Sequence, residues 1–581
     1  MSYEIYCEQI NARSMRIYCE EECVHMELND FFQYDDPNFQ PNRWSKWDGK
    51  VRLYDRHSGK LDVGLLEYLV KFCSINKYPL EIDPRLKQMR RIDMDDVHEY
   101  CDSLNLSRSD DGDYVSCVPY DYQYYGVERA LKLRRAVLLA DTGAGKSLMQ
   151  YILTRFYIEE YEALHNRPAK VLLLVPSVML VNQMQADFKE YSQFNGWDVE
   201  KHVHGISAGC SKLTRKNVVV STWQSIQDEA ADYFDQFTHL ITDEVHGASA
   251  SKISYICNNC INCYDRAGLT GTLHEEEMNK LQVQAHFGPI MNVADTKLLK
   301  KLGQASETLV TMMNLDYSVS DRQFASKLDY MGEIDFITKH PQRNKLISAL
   351  ASTLTGNTLM LFDRRDHIDA VYELIKDQGN VHIINGDVNG DVREVIKAAL
   401  ENCKKRISLD FGSDFIEVDF DDIFTTKSGD KRAIDLKVGD VTEEHGKVCK
   451  TKELRGATLL ATFGCVSTGV SIKNLHNLVF CHPSKSIIRV LQSLGRLLRR
   501  HKSKEVAMIY DLVDNLKIAG GDANHAVRHA MKRYGFYTNK GHKMRTKRYP
   551  ISVDLPDGLR QDVGQASRRR IAMKASRDNN K

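Results

Sequence analysis

At 581 residues the chain is too long for a single hydrophobic core, so three or four domains are expected. Hydrophobic content of 42%, charged content of 27% and a balance of 79 basic against 79 acidic residues describe a globular protein with no global pull toward a polyanion. The basic stretches at 543–548 and 568–570 make any such contact local. Fourteen cysteines lack the spacing of a disulfide framework, and the N-terminus has neither a basic nor an apolar leader segment. No apolar run approaches the ~20 residues of a membrane span, so a soluble cytoplasmic protein is expected.

Residues 1–112 precede any nucleotide signal and are expected to form a small α/β accessory domain. Within 42–54, Trp44, Trp47 and Tyr54 are interleaved with Arg43, Lys46, Lys50 and Arg52. Aromatic faces stack on bases while cations track phosphates, which makes Trp44, Trp47 and Arg52 nucleic-acid candidates. A hairpin turning at Asp48-Gly49, with its tryptophans in a small core, accounts for the same pattern.

Residues 113–300 read as a nucleotide-binding unit. Gln123 precedes the key loop, and its amide suits the adenine edge as both donor and acceptor. From Ala136 an apolar run ends in Asp141-Thr142-Gly143-Ala144-Gly145-Lys146-Ser147, and an amphipathic stretch follows. Strand, tight loop and helix start turn successive N–H groups and a positive helix terminus toward one anion. In such a loop Lys146 reaches the β- and γ-phosphates and Ser147 ligates Mg²⁺.

Apolar strands are expected at 170–175 and 218–220, ending at Pro176-Ser177 and Ser221-Thr222. Their alternation with helices predicts a parallel sheet whose ligands lie beyond the strand ends. Pro176, Ser177 and Thr222 are therefore candidates for contact with a phosphodiester backbone. The strand at 237–242 ends in Asp243, suited to Mg²⁺, and Glu244, suited to polarising water. Thr270 and Thr272 end a further strand and are placed to couple the nucleotide to whatever the protein grips. Cys257, Cys260 and Cys263 have a spacing used by zinc or iron sites and also by thiols packed on one helix face. With no second pair nearby, packing is the preferred reading.

Residues 301–340 read as a connection between lobes, and 341–520 as a second α/β unit with strands at 357–362, 381–384, 459–462 and 478–480. Thr462 ends one of these strands, and Gly469 follows it. Gln492, Arg496 and Arg499 share one helix face, a set suited to a γ-phosphate. Period-two alternation marks 402–455 as an inserted β-rich element, structural or regulatory. Residues 521–581 read as a basic tail that either adds phosphate contacts or is a solvated end.

In chain order, Tyr-Gln, Ala-x-x-Gly-x-Gly-Lys-Ser, Pro-Ser, Asp-Glu-Val-His, Thr-Gly-Thr, Ser-Thr-Gly-Val-Ser and Gln-x-x-Gly-Arg-x-x-Arg are similar to the superfamily 2 helicase motif series, over about 118–510. The leader Asn-Arg-Trp-Ser-Lys-Trp-Asp-Gly-Lys-Val-Arg-Leu, Ser-Thr-Trp-Gln and Val-Ser-Thr-Gly-Val-Ser-Ile-Lys-Asn-Leu-His-Asn resemble the UvsW family of T4-type phage recombination helicases.

The resemblance implies an α/β fold of two tandem RecA-like parallel-sheet lobes, with the small N-terminal domain and the insertion as additions. It implies ATP and Mg²⁺ as cofactors, with Gln123, the loop 141–147 and Gly469 around the nucleotide. Lys146, Asp243, Glu244, Gln492, Arg496 and Arg499 take the catalytic roles, and Pro176, Ser177, Thr222 and Thr462 fall near the nucleic-acid strand. The implied activity is a DNA-stimulated ATPase that remodels Holliday junctions, stalled forks and R-loops in recombination, repair and replication. A monomer in the host cytoplasm is expected, with branched DNA, RNA–DNA hybrids and recombination proteins as partners. An RNA helicase or a translocase that never separates strands is the alternative. An inactive scaffold is disfavoured, because Lys146, Asp243, Glu244, Arg496 and Arg499 are all present. Thr270-Gly271-Thr272 stands where the family has Ser-Ala-Thr, and the insertion also departs from the family pattern.

Overall fold

Apolar runs bounded by turn residues become strands of three main sheets in the computed structural model. It describes residues 4–36, 39, 47–110, 113–207, 209–249, 251–273, 277–378, 381–384, 456–464, 475–483, 506–518 and 520–579, and between 406 and 455 the strands alone. The chain divides into two units, Met1–Asp295 and Thr296–Lys581.

The first unit begins with a five-stranded sheet in the order Tyr54–Asp55, Lys60–Asp62, Ser14–Tyr18, Ile5–Gln9, Leu80–Ile82, with helices Glu22–Phe31 and Leu66–Asn76. Its core of Ile5, Met15, Leu28, Leu69 and Phe72 is closed by Leu281 and Ala285, which belong to helix Glu277–Phe287 of the following domain. The approach is close enough that a Cβ on Gly64 would fall 2.0 Å from the Gln284 carbonyl oxygen. Arg90 fastens the same junction from the connecting segment, donating to Asp265 at 2.6 Å and to Glu160 at 2.6 Å. Burial opposes the charge of Asp265, and the Arg90 and Arg134 guanidinium groups outweigh it and hold the carboxyl down to about 2.

The main sheet of this unit has seven parallel strands ordered Val203–Ile206, Val218–Thr222, Val171–Val175, His239–Asp243, Asp265–Thr270, Arg135–Ala140, Ile290–Ala294. Val171–Val175 and Val218–Thr222 are buried along their whole length, as expected for a parallel sheet covered on both faces. Cys257, Cys260 and Cys263 are fully buried in the core against Phe237 and Phe287. Beside them the buried Arg266 guanidinium donates to the carbonyls of Cys257, Cys260 and Cys263 at 3.0, 2.6 and 3.0 Å. The segment thus supplies backbone acceptors to an arginine while its thiols pack.

The second unit is built on another seven-stranded parallel sheet, ordered Val381–Ile384, Thr458–Thr462, Asn357–Phe362, Leu475–Phe480, Val506–Asn515, Glu307–Tyr317, Lys543–Ile551. Two segments differ from their sequence reading. The expected connection at 301–340 contains the strand Glu307–Tyr317, an interior member of the sheet, and the helix Tyr330–Lys339. The expected tail at 521–581 folds as well. Helix His525–Asn539 buries Arg533 and Tyr537 against Asp511 at 2.7 and 2.8 Å, and strand Lys543–Ile551 closes the sheet edge. Helix Asp557–Asn579 is held by Arg560 on Asp321 and by Arg570 on Asp329 and Asp335. Parallel strands find partners far away in sequence, so no local pattern announces these pairings.

The described strands between 406 and 455 form a six-stranded antiparallel sheet between strands Val381–Ile384 and Thr458–Thr462. Among the described residues no helix is long and apolar enough to cross a membrane.

Candidate functional site

Three neighbouring strands of the first unit bring the chemistry together. Leu139 lies opposite Thr270, and Leu269 lies opposite Asp243, so Ala140, Thr270 and Asp243 leave the sheet side by side at its C-terminal edge. In an open parallel sheet that edge is where ligands sit.

The loop after Ala140 turns through Gly143 at φ +94° and Gly145 at φ +73°, conformations that side chains resist, and helix Lys146–His165 begins there. Gly145 is doubly required, since a Cβ would fall 2.2 Å from Gln123 Nε2. Ala140, at the head of the motif, is fully buried in the strand, where a methyl group fits. Asp141 N–H donates to the Ala294 carbonyl at 2.9 Å, and Ala144 N–H donates back to the Asp141 carbonyl at 3.0 Å, which fixes the curl of the loop.

Lys146 Nζ lies 3.5 Å from Glu244 Oε1 and 3.4 Å from the Ala140 carbonyl oxygen. Glu244 has φ +48°, a left-handed backbone that a glutamate adopts only when its surroundings impose it. Its Oε2 lies 3.0 Å from the Thr270 hydroxyl and 3.3 Å from His246 Nδ1. His246 Nδ1 is also 3.0 Å from Thr270 Oγ1, and Thr272 N–H donates to that same oxygen at 3.2 Å. Gly271 packs against the loop, with its Cβ position 3.4 Å from Thr142 N. The Asp-Glu-Val-His and Thr-Gly-Thr segments therefore form one hydrogen-bonded cluster against the lysine.

Electrostatics divide the two carboxylates. Burial and the neighbouring charge of Glu244 push Asp243 up to about 6. Burial also opposes ionisation of Glu244, but the Lys146 ammonium and the His246 ring outweigh it and hold the carboxyl well below its usual range. Burial works against the Lys146 charge too, and Glu244 and Asp243 reverse it, leaving the ammonium more basic than usual. The lysine is thus a fixed cation facing a fixed anion, an arrangement poised to exchange one partner for phosphate.

The donor set fits a hydrated divalent cation beside phosphate. Asp243 Oδ1 accepts from Gln150 Nε2 at 3.3 Å, and Ser147 Oγ lies 2.8 Å from the Tyr191 hydroxyl. Thr242 Oγ1, Gln150 Oε1 and Thr272 Oγ1 are buried with no hydrogen-bond partner among the described residues. Hard oxygen donors of this kind are what Mg²⁺ uses, usually through retained water.

The other expected residues are placed as follows. Gln123 is buried, donates to the Ala144 carbonyl at 2.9 Å and accepts from Tyr120 N–H at 2.9 Å, so its amide braces the phosphate loop and caps its own helix. Pro176 and Ser177 are half-buried at the sheet's C-terminal edge, where Ser177 starts helix Val178–Tyr191. Thr222 is buried, and its hydroxyl takes Ser225 N–H at 3.3 Å as a helix cap. Thr462 ends its strand half-buried in the second unit. Trp47 is exposed, with its Nε1–H on the Lys50 carbonyl and its ring edge on Phe39, while Arg52 is paired with Asp48. Tyr54 is a core residue. Trp44, Gly469, Gln492, Arg496 and Arg499 lie outside the described residues. Gln150 and Tyr191 were missed. Gln150 follows Ser147 by one helical turn, a signal that spacing carries, whereas Tyr191 has no local signal.

Residues 10–83 match the family described as "DNA helicase UvsW, N-terminal", and 116–275 match "Type III restriction enzyme, res subunit". The ATP-dependent DNA helicase uvsW of Enterobacteria phage T4 is 31% identical over 530 residues, covering 90% of this chain and 92% of the relative. The DNA 3'-5' translocase XPB2 of Sulfurisphaera tokodaii is 26% identical over 171 residues, 29% of this chain and 34% of that protein. A crystal structure of T4 UvsW is 27% identical at a TM-score of 0.45, covering 94% of this chain and 99% of that one. With its nucleotide loop, its paired carboxylates and identity along nearly its whole length, the chain belongs to the UvsW family of ATP-dependent DNA helicases.

Proposed function

We propose that this helicase uses ATP hydrolysis to remodel branched DNA, regressing forks, migrating Holliday junctions and removing RNA–DNA hybrids. The observation that supports it most is the cluster of Lys146, Glu244, Thr270 and His246, in which the hydrolytic carboxylate is bonded to the segment that follows the next strand. Loss of the γ-phosphate would change the partner of Lys146 and so shift Glu244, Thr270 and Thr272 together.

In this reading Ser147 and Asp243 hold Mg²⁺, which supplies charge neutralisation on the phosphates. Glu244 would orient the attacking water and take its proton once Lys146 has turned to the phosphates, with His246 and Thr270 still beside it. Gln123 holds the loop, and reading adenine would require its amide to leave the Ala144 and Gly145 carbonyls. Gly469, Gln492, Arg496 and Arg499 are proposed nucleotide and γ-phosphate residues on motif grounds alone. Pro176, Ser177 and Thr462 are the proposed strand contacts, with Trp44, Trp47 and Arg52 in the accessory domain. A monomer is the proposed active form.

The test compares ATP-dependent conversion of a Holliday junction, a model fork, an R-loop, a linear duplex and an RNA duplex at one salt concentration. Conversion of the branched substrates ahead of linear duplex and RNA is expected. The similarity of 171 residues to a DNA translocase favours a second reading, translocation without strand separation. Equal ATPase on linear and branched DNA with no product formed would select it.

A further inference from the structure

Gln150 has no part in the helicase motifs, yet it touches their metal-binding carboxylate. It is fully buried on helix Lys146–His165, one turn after Ser147, so the two share a helix face. Its Nε2–H donates to Asp243 Oδ1 at 3.3 Å across to the neighbouring strand end, while its Oε1 has no partner among the described residues. A buried glutamine that satisfies only one end of its amide is costly, because the orphaned acceptor has lost its water. An apolar residue would pack there at lower cost. The sequence keeps an amide where its one bond reaches Asp243.

We propose that Gln150 is a positioning residue for the divalent-cation site: it fixes the orientation of Asp243 toward Ser147, and its free carbonyl oxygen accepts from the hydration shell of the bound cation. This rests on the metal role of Ser147 and Asp243 proposed above. The residue does no chemistry. It sets how tightly the cation is held, as outer hydrogen bonds to metal-binding carboxylates do.

The experiment measures binding of Mn²⁺ to the ADP complex of the full chain from the loss of the free Mn²⁺ paramagnetic resonance signal. For Gln150→Met the Mn²⁺ affinity is expected to fall about 10–100-fold. ADP binding in excess chelator is expected to be unchanged, and the urea midpoint to equal or exceed the parent's because the orphaned acceptor is gone. A role in packing alone gives the opposite pair, a lower urea midpoint with unaltered Mn²⁺ affinity, and overturns the proposal. Gln150→Asn keeps the amide but withdraws it by one methylene, and the same loss is expected should the Met variant not fold. Asp243→Asn separates the two claims. If it loses Mn²⁺ affinity while Gln150→Met and Gln150→Asn do not, Gln150 has no positioning role and the metal site stands. If Asp243→Asn itself binds Mn²⁺ like the parent, the site and the role of Gln150 both fall.

Discussion

The Thr270 hydroxyl lies 3.0 Å from Glu244 Oε2, linking the end of one strand to the carboxylate at the end of its neighbour. The same hydroxyl is 2.7 Å from the Thr272 carbonyl oxygen, so a movement of the Thr-Gly-Thr turn changes the contact that Glu244 feels. In the proposed mechanism this contact couples hydrolysis to the rest of the motor.

Thr270→Val keeps the shape of a fully buried side chain and removes that link. A hydrogen bond to a charged group is worth about 1.5–3 kcal/mol, so DNA-stimulated turnover should fall roughly 10–100-fold. ATP affinity should be preserved. Steady-state ATPase with and without DNA, beside equilibrium nucleotide binding, checks both parts.

Gly145→Ala should damage nucleotide binding more than its size suggests. The position has φ +73°, and its new Cβ would meet Gln123 Nε2 at 2.2 Å. Strain of about 1–2 kcal/mol at the loop predicts a roughly tenfold weaker ATP affinity. Equilibrium nucleotide binding by the parent and the variant measures the loss.

Acid should weaken the first unit over a defined window. Burial lowers His239 from 6.5 to about 4 and His286 from 6.5 to about 4. Between pH 6.5 and 4 the unfolded chain binds more protons than the folded one, so stability is full above 6.5 and is lost as pH falls toward 4. The ceiling is about 3 kcal/mol for each histidine. His239→Phe keeps the stack on Tyr157 and should flatten the acid slope of the urea midpoint.

Removing residues 557–581 should destabilise the second unit. Asp321 is fully buried and would lose Arg560, and Val563 would leave the core. Asp321 keeps His340 and the Leu555 N–H, so losing one charged hydrogen bond costs about 1.5–3 kcal/mol, to which the loss of Val563 from the core adds. A lower urea midpoint is expected, where a solvated tail would leave it unchanged.

What the sequence made legible was local. Lys146, Ser147, Asp243 and Glu244 stand at ends of apolar runs, and the same parallel-sheet physics that produces those runs brings the ends together. Contacts between distant segments were not legible. Strand Glu307–Tyr317 pairs with Val506–Asn515 and Lys543–Ile551 across some two hundred residues, and mixed composition hid it as a connection. Thr222 read as a surface donor because a hydroxyl at a strand end has two uses, and here Ser225 N–H takes it as a cap. Gln123 is likewise engaged with Ala144, a contact no spacing reveals.

In the mechanism proposed above, Glu244, bonded to Thr270 and released by Lys146 when phosphate takes that lysine, activates the water that cleaves ATP. Glu244→Gln keeps the shape and removes the base. Its DNA-stimulated ATP turnover should fall by about 10²–10⁴-fold with nucleotide and DNA binding retained. Turnover equal to the parent's in that variant would contradict the account.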